Sequence, residues 1–63
     1  MNINNALNKV IDKVDLTKDE MISIMTQVME GQVGSSQLSG FLTGLRMKGE
    51  SVSEIVGAVS VMR

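Results

Sequence analysis

The sequence predicts an all-α protein, a small bundle of about four short helices at approximately 3–14, 18–30, 35–48 and 52–63. Three observations carry this reading. Apolar residues recur at spacings of three, four and seven, the period of one helix face. Proline is absent, and glycine and serine gather where helices have to stop and start. Two capping boxes, a Thr or Ser followed three residues later by Glu, open apolar runs.

In the first segment Ile3, Leu7, Val10, Ile11 and Val14 fall on one helical face, with Asn2 as the cap and Asp15 at the exit. The second helix is the best signalled. Thr17 and Glu20 form its capping box, with Leu16 and Met21 at the two positions of a hydrophobic staple. Asp19 and Glu20 sit where the helix macrodipole favours anions. Met21, Ile22, Met25, Val28 and Met29 then repeat at helical spacing, and Gly31 ends the run as a left-handed C′ residue. The third helix starts at Gly34 or Ser35; with Gly34 as cap, Gln37 takes the third helical position. Leu38, Phe41, Leu42 and Leu45 follow, Arg46 and Lys48 place positive charge in the last turn, and Gly49 is the stop. Ser51 and Glu54 cap the fourth helix, whose apolar face reads Val52, Ile55, Val56, Val59 and Met62. The pattern breaks off at Arg63 without Gly or a polar tail, which predicts that the polypeptide continues.

Sixty-three residues make one thin domain. A chain of this size removes only about 60% of its unfolded surface from water, and its core yields roughly 3–5 kcal/mol of net stability. There is no Cys and no His, so disulfides, thiolate metal sites and the commonest general base are all missing. Net charge is −1 with both signs mixed along the chain, and Phe41 is the sole aromatic. These features give no basic surface or stacking platform for nucleic acid. No apolar run approaches membrane-spanning length, and the N-terminus lacks the pattern of a signal peptide. The expectation is a cytoplasmic module that binds neither nucleic acid nor membrane.

Gly40, Gly44 and Gly57 stand inside helical stretches, at a combined cost of roughly 3 kcal/mol relative to Ala. Close helix–helix approach would offset it, either within the bundle or against another subunit. Ile3, Leu7, Gly40, Phe41, Gly44 and Leu45 are accordingly the candidates for a helix-packing or dimer interface, through the first and third helices. The methionines of the second helix read as ordinary core, with an adaptable binding surface as the other possibility. Asp19, Glu20 and Glu54 are accounted for by capping and the dipole, and the remaining carboxylates lie on polar faces or beside loops. No residue is assigned a catalytic, cofactor-binding or metal-binding role, and the chain alone is not expected to be an enzyme.

The run Leu45-Arg46-Met47-Lys48-Gly49-Glu50-Ser51, with Gly57-Ala58-Val59-Ser60-Val61-Met62-Arg63 behind it, resembles the N-terminal helical domain of the anthranilate phosphoribosyltransferases. Ala6-Leu7 with Val10-Ile11, Asp15-Leu16-Thr17, Met25 with Met29, and Gln37 ahead of Phe41-Leu42 fall in the same register. Pyrimidine-nucleoside phosphorylases of the same superfamily share this domain type but are less similar at the loop. The resemblance implies that residues 1–63 are the helical scaffold and dimerisation domain of a longer tryptophan-biosynthesis enzyme. That enzyme would transfer phosphoribosyl from phosphoribosyl pyrophosphate to anthranilate with Mg²⁺. Its α/β catalytic domain, with the phosphate loop and metal-binding acids, would lie after this segment. The implied partners are that domain and a second copy in a homodimer, and two later helices would complete the bundle. One departure is Gly34-Ser35, where many relatives read Thr-Pro, so the start of the third helix should be looser here. The competing functions are a freestanding helical interaction module that takes a partner helix into its groove, and the same helical domain of a pyrimidine-nucleoside phosphorylase.

Overall fold

Each of the four helices begins at a cap written in the sequence. The computed structural model describes residues 1–62; the C-terminal Arg63, and with it the last position of the fourth expected helix, lies outside the described residues. The helices are α1 (Ile3–Ile11), α2 (Lys18–Met29), α3 (Ser35–Lys48) and α4 (Val52–Met62). Asn2 Oδ1 accepts from the Asn5 amide at 2.8 Å. The Thr17–Glu20 box closes in both directions, at 2.9 and 3.1 Å. Gly34 is the N-cap of α3, and its amide donates to Gln37 Oε1 at 3.2 Å. The Ser51–Glu54 box starts α4.

The ends are less legible. Gly31, at φ 74°, closes α2 as expected, with the Gln32 amide reaching back to the Gln27 carbonyl. The same Schellman geometry ends α1 three residues earlier than the apolar pattern suggests. There Val14 N donates to Lys9 O at 2.8 Å and Lys13 N to Val10 O at 3.0 Å. The left-handed position is filled by Lys13 at φ 60°, not by glycine, so the stop had no glycine to announce it. Val14 and Ile11 are consequently exposed rather than part of the core.

The helices pack as two pairs, α1 on α3 and α2 on α4, with a lesser contact between α1 and α2. Ile3, Ala6 and Val10 from α1, Leu16 from the connection, Met21 and Ile24 from α2, and Phe41 and Leu45 from α3 form the core. Two expected faces are corrected. In α2 the buried residues are Met21 and Ile24, while Met29 is 65% exposed. Apolar residues occupy more than one side of that helix, so periodicity alone could not choose the face. Met21 is thus the one methionine of α2 that is fully core; Met25 packs against it half-buried.

In α4 the inversion is complete. Glu54, Gly57, Ala58 and Val61 turn inward, at offsets of three, four and seven, and Val52, Ile55, Val56, Val59 and Met62 are all exposed. The cause is steric. At Gly57 an added Cβ would lie 2.7 Å from the Lys18 carbonyl oxygen and 2.9 Å from Met21 Cβ, so only glycine lets α4 approach α2 this closely. At Gly44 a Cβ would meet Val10 Cγ1 at 2.5 Å, which places the same requirement on the α1–α3 contact. Gly40 is different: its nearest neighbour would be Leu7 Cδ2 at an ordinary 3.8 Å.

Gly57 and Gly40 should therefore separate in a stability series. Gly57→Ala is expected to destabilise by about 1–3 kcal/mol through overpacking against backbone, despite a propensity gain of about 1 kcal/mol. Gly40→Ala should be neutral or stabilising by up to about 1 kcal/mol. Urea unfolding of both variants checks this, and equal effects would remove the close-approach argument.

Candidate functional site

Where α3 ends and α4 begins, two charged side chains sit in core register. Lys48 follows Leu45 by three residues, and Glu54 precedes Ala58 by four, so both turn inward with their helices' buried faces. Their side chains are 4% and 0% exposed. Lys48 Nζ donates to Glu54 Oε1 at 2.8 Å, to Asp15 Oδ1 at 2.7 Å and to the Gly49 carbonyl at 3.0 Å. Glu54 Oε1 also accepts from the Ser51 amide, and Oε2 accepts from the buried Leu16 amide at 2.7 Å. One carboxylate thus caps its own helix, binds the ammonium, and satisfies the backbone of the α1–α2 connection. No buried side-chain N or O is left without a partner among the described residues.

These bonds decide the ionisation of both groups. Burial pushes the Glu54 carboxyl up, but the Lys48 hydrogen bond and the amides of Leu16 and Ser51 outweigh it and hold Glu54 below its ordinary 4.5. Burial likewise pulls the Lys48 ammonium down, and the carboxylates of Asp15 and Glu54 outweigh that to raise it above 10.5. Glu20, on the other side of the bundle, is lowered by its hydrogen bonds from Lys9 and from the Thr17 amide.

Beside this cluster runs an apolar groove of about 510 Å³ between α2, α3 and α4. Met21 and Met25 form one wall, Leu42 another, and Ile55, Val59 and Met62 the third, with Glu50 and Glu54 at its polar end. The described residues contain no cluster of three Asp, Glu, His or Cys able to hold a metal. Asp15 and Glu54, which do converge, are already committed to Lys48. Magnesium therefore finds no fitting donor set among the described residues. No helix among the described residues is long and apolar enough to cross a membrane.

Of the six interface candidates, Ile3, Phe41 and Leu45 are buried in the core, so their area is already used between α1 and α3. Leu7 is half-buried, Gly44 faces Val10, and Gly40 is exposed at the rim. A second hollow of about 230 Å³ lies on the same pair, between Val10, Ile11, Gly44 and Met47. Sequence reasoning missed the Lys48–Glu54 pair because capping and the dipole already accounted for both residues. The apolar pattern of α4 pointed to its other face, so nothing in it marked Glu54 as a core position.

Comparison with known proteins adds the lineage. A family model described as "Glycosyl transferase family, helical bundle domain" matches residues 4–63. The chain is 56% identical over all 63 residues to an anthranilate phosphoribosyltransferase of Pseudomonas savastanoi pv. phaseolicola. It is 54% identical to that of Pseudomonas syringae pv. syringae and 51% to that of Pseudomonas aeruginosa. In each case the whole chain is covered, and it spans 18% of the relative's length.

The buried pair sets a pH window. Glu54 is lowered, so its contribution is whole above 4.5 and is lost as pH falls through its folded-state value; Lys48 is raised, so its contribution is whole below 10.5 and is lost as pH rises through its own. Stability should be flat between these limits and fall outside them. Glu54→Gln should unfold at lower urea than the parent at neutral pH, with a shallower further loss in acid. An acid limb of unchanged depth in that variant would show that other carboxylates, Glu20 first, carry it.

Proposed function

Because this chain belongs to the glycosyl transferase family as its helical bundle domain, we propose that it is the helical scaffold and dimerisation domain of an anthranilate phosphoribosyltransferase. The observation that carries this is the 51–56% identity to those enzymes over every residue of the chain. The whole protein would transfer phosphoribosyl from phosphoribosyl pyrophosphate to anthranilate, in tryptophan biosynthesis in the cytoplasm. Its phosphate-binding and magnesium-binding residues would belong to an α/β catalytic domain of the same polypeptide.

The role of the helical part follows from its two uncovered surfaces. The exposed stripe of α4, running from the groove wall at Ile55, Val59 and Met62 round to Val52 and Val56, makes that helix apolar on two sides, the pattern of a helix enclosed within a larger protein. Further chain of the parent enzyme would cover this stripe and the groove beside it. The α1–α3 pair offers a separate surface, where the exposed Ile11 and Met47 flank the smaller hollow, and half-buried Leu7 and exposed Gly40 lie elsewhere on the same two helices. That side is the proposed homodimer contact. Ile3, Phe41 and Leu45 would act by shaping it from beneath.

A domain exchange tests both parts. With this chain in place of the matching segment of the Pseudomonas aeruginosa enzyme, turnover of anthranilate and a dimeric mass are expected. The 63-residue chain by itself should show no turnover. Ile11→Glu with Met47→Glu in the chimera should yield monomer. A folded chimera without activity would overturn the scaffold assignment, and a dimer indifferent to the two glutamates would overturn the surface.

A further inference from the structure

The bundle consists of two helix pairs whose members touch each other far more than they touch the other pair. Three polar ties cross between the pairs. Lys9 binds Glu20 at 2.8 Å at one side, and Ser23 and Gln27 donate to the Met1 carbonyl at the chain start. The third is Lys48–Glu54, the one side-chain hydrogen bond between α3 and α4 among the described residues. The first two tie α1 or its leader to α2, both on exposed or half-exposed side chains. Only the third is buried, and only it fixes the α3–α4 edge, where apolar contact is thin and the groove lies open.

We propose that the Asp15–Lys48–Glu54 cluster is a registry latch: it sets how the α2–α4 pair is seated on the α1–α3 pair, and hence the width of the groove between α3 and α4. The geometry supports this over a merely cohesive role. Exposed Val52 and Val56 continue the apolar surface of α4 beyond the groove residues Ile55 and Val59 onto its outer side, so burial alone would tolerate α4 rolled about its axis. A rolled helix would strand the Leu16 amide, whose acceptor is Glu54 Oε2, and unpair Lys48. Directional hydrogen bonds with three separate segments exclude that alternative. Buried ion pairs are weak contributors to net stability, and fixing one arrangement among several is their best-attested role.

The test separates seating from stability. The chain has no cysteine, so Leu42→Cys and Val59→Cys place one spin label on each wall of the groove. In the parent the label–label distance should be single and narrow. Replacing the pair by apolar residues, Lys48→Met with Glu54→Leu, should keep a cooperative melt while the distance broadens or splits. If that double variant does not fold, the same labels on Glu54→Gln decide, because glutamine keeps the size and an acceptor for Leu16 but not the charge. Broadening there supports the latch. A single narrow distance at the parent value, in whichever variant folds, overturns it.

Discussion

The fold depends on one carboxylate. Glu54 is reached from the α1–α2 connection through Leu16, from the end of α3 through Lys48, and from the α3–α4 connection through Ser51, so the start of α2, the end of α3 and the start of α4 are all indexed to it. Its cost explains its completeness. Desolvating a carboxylate and an ammonium costs several kcal/mol per ion, recovered only when geometry is good and the remaining lone pairs are satisfied. Both Glu54 oxygens accept, and Lys48 makes three bonds. Removing one partner from a buried pair costs about 3–5 kcal/mol, as much as the roughly 3–5 kcal/mol that a core of this size supplies. Asp15 is the minor member, since its side chain is 63% exposed and water screens it.

That arrangement also explains why α4 faces the way it does. Hydrophobicity alone would bury the stripe of Val52, Ile55, Val56 and Val59. The opposite stripe wins because Gly57 permits contact with the α2 backbone at Lys18 and because Glu54 has partners only on that side. Apolar burial is non-directional, whereas backbone approach and hydrogen bonds are not. In a bundle of 63 residues, the directional terms select the arrangement and leave the larger apolar surface outside.

The sequence was most informative where a local rule has a local cause. Thr17 with Glu20, Ser51 with Glu54, and Gln37 behind Gly34 each act within one turn, and each helix start was legible. Helix ends were legible where glycine marks them, as at Gly31 and Gly49, and not at Lys13, which takes a left-handed conformation normally left to glycine. Core faces were legible for Phe41 and Leu45, where apolar residues are sparse. They were ambiguous for α2 and inverted for α4, where apolar residues surround the helix. The Lys48–Glu54 pair spans six residues across a turn and closes on Leu16, 38 positions from Glu54. Local pattern carries no information about such a partner.

The interior glycines connect the fold to the proposed assembly. Each forfeits about 1 kcal/mol of helix propensity, a large share of the stability available. For Gly44 and Gly57 the reason lies inside the bundle: a Cβ at Gly44 would displace the Val10 side chain, and one at Gly57 would strike the Lys18 carbonyl of the backbone. Gly40 has no such reason: a Cβ there meets only Leu7, at van der Waals distance, and the residue is exposed. Its cost is unrecovered within residues 1–62. A second subunit resting on the outer side of α1 and α3 would recover it, because a helix without a side chain at that point admits another backbone. The glycine that the bundle does not need is thus the one that the proposed dimer contact explains.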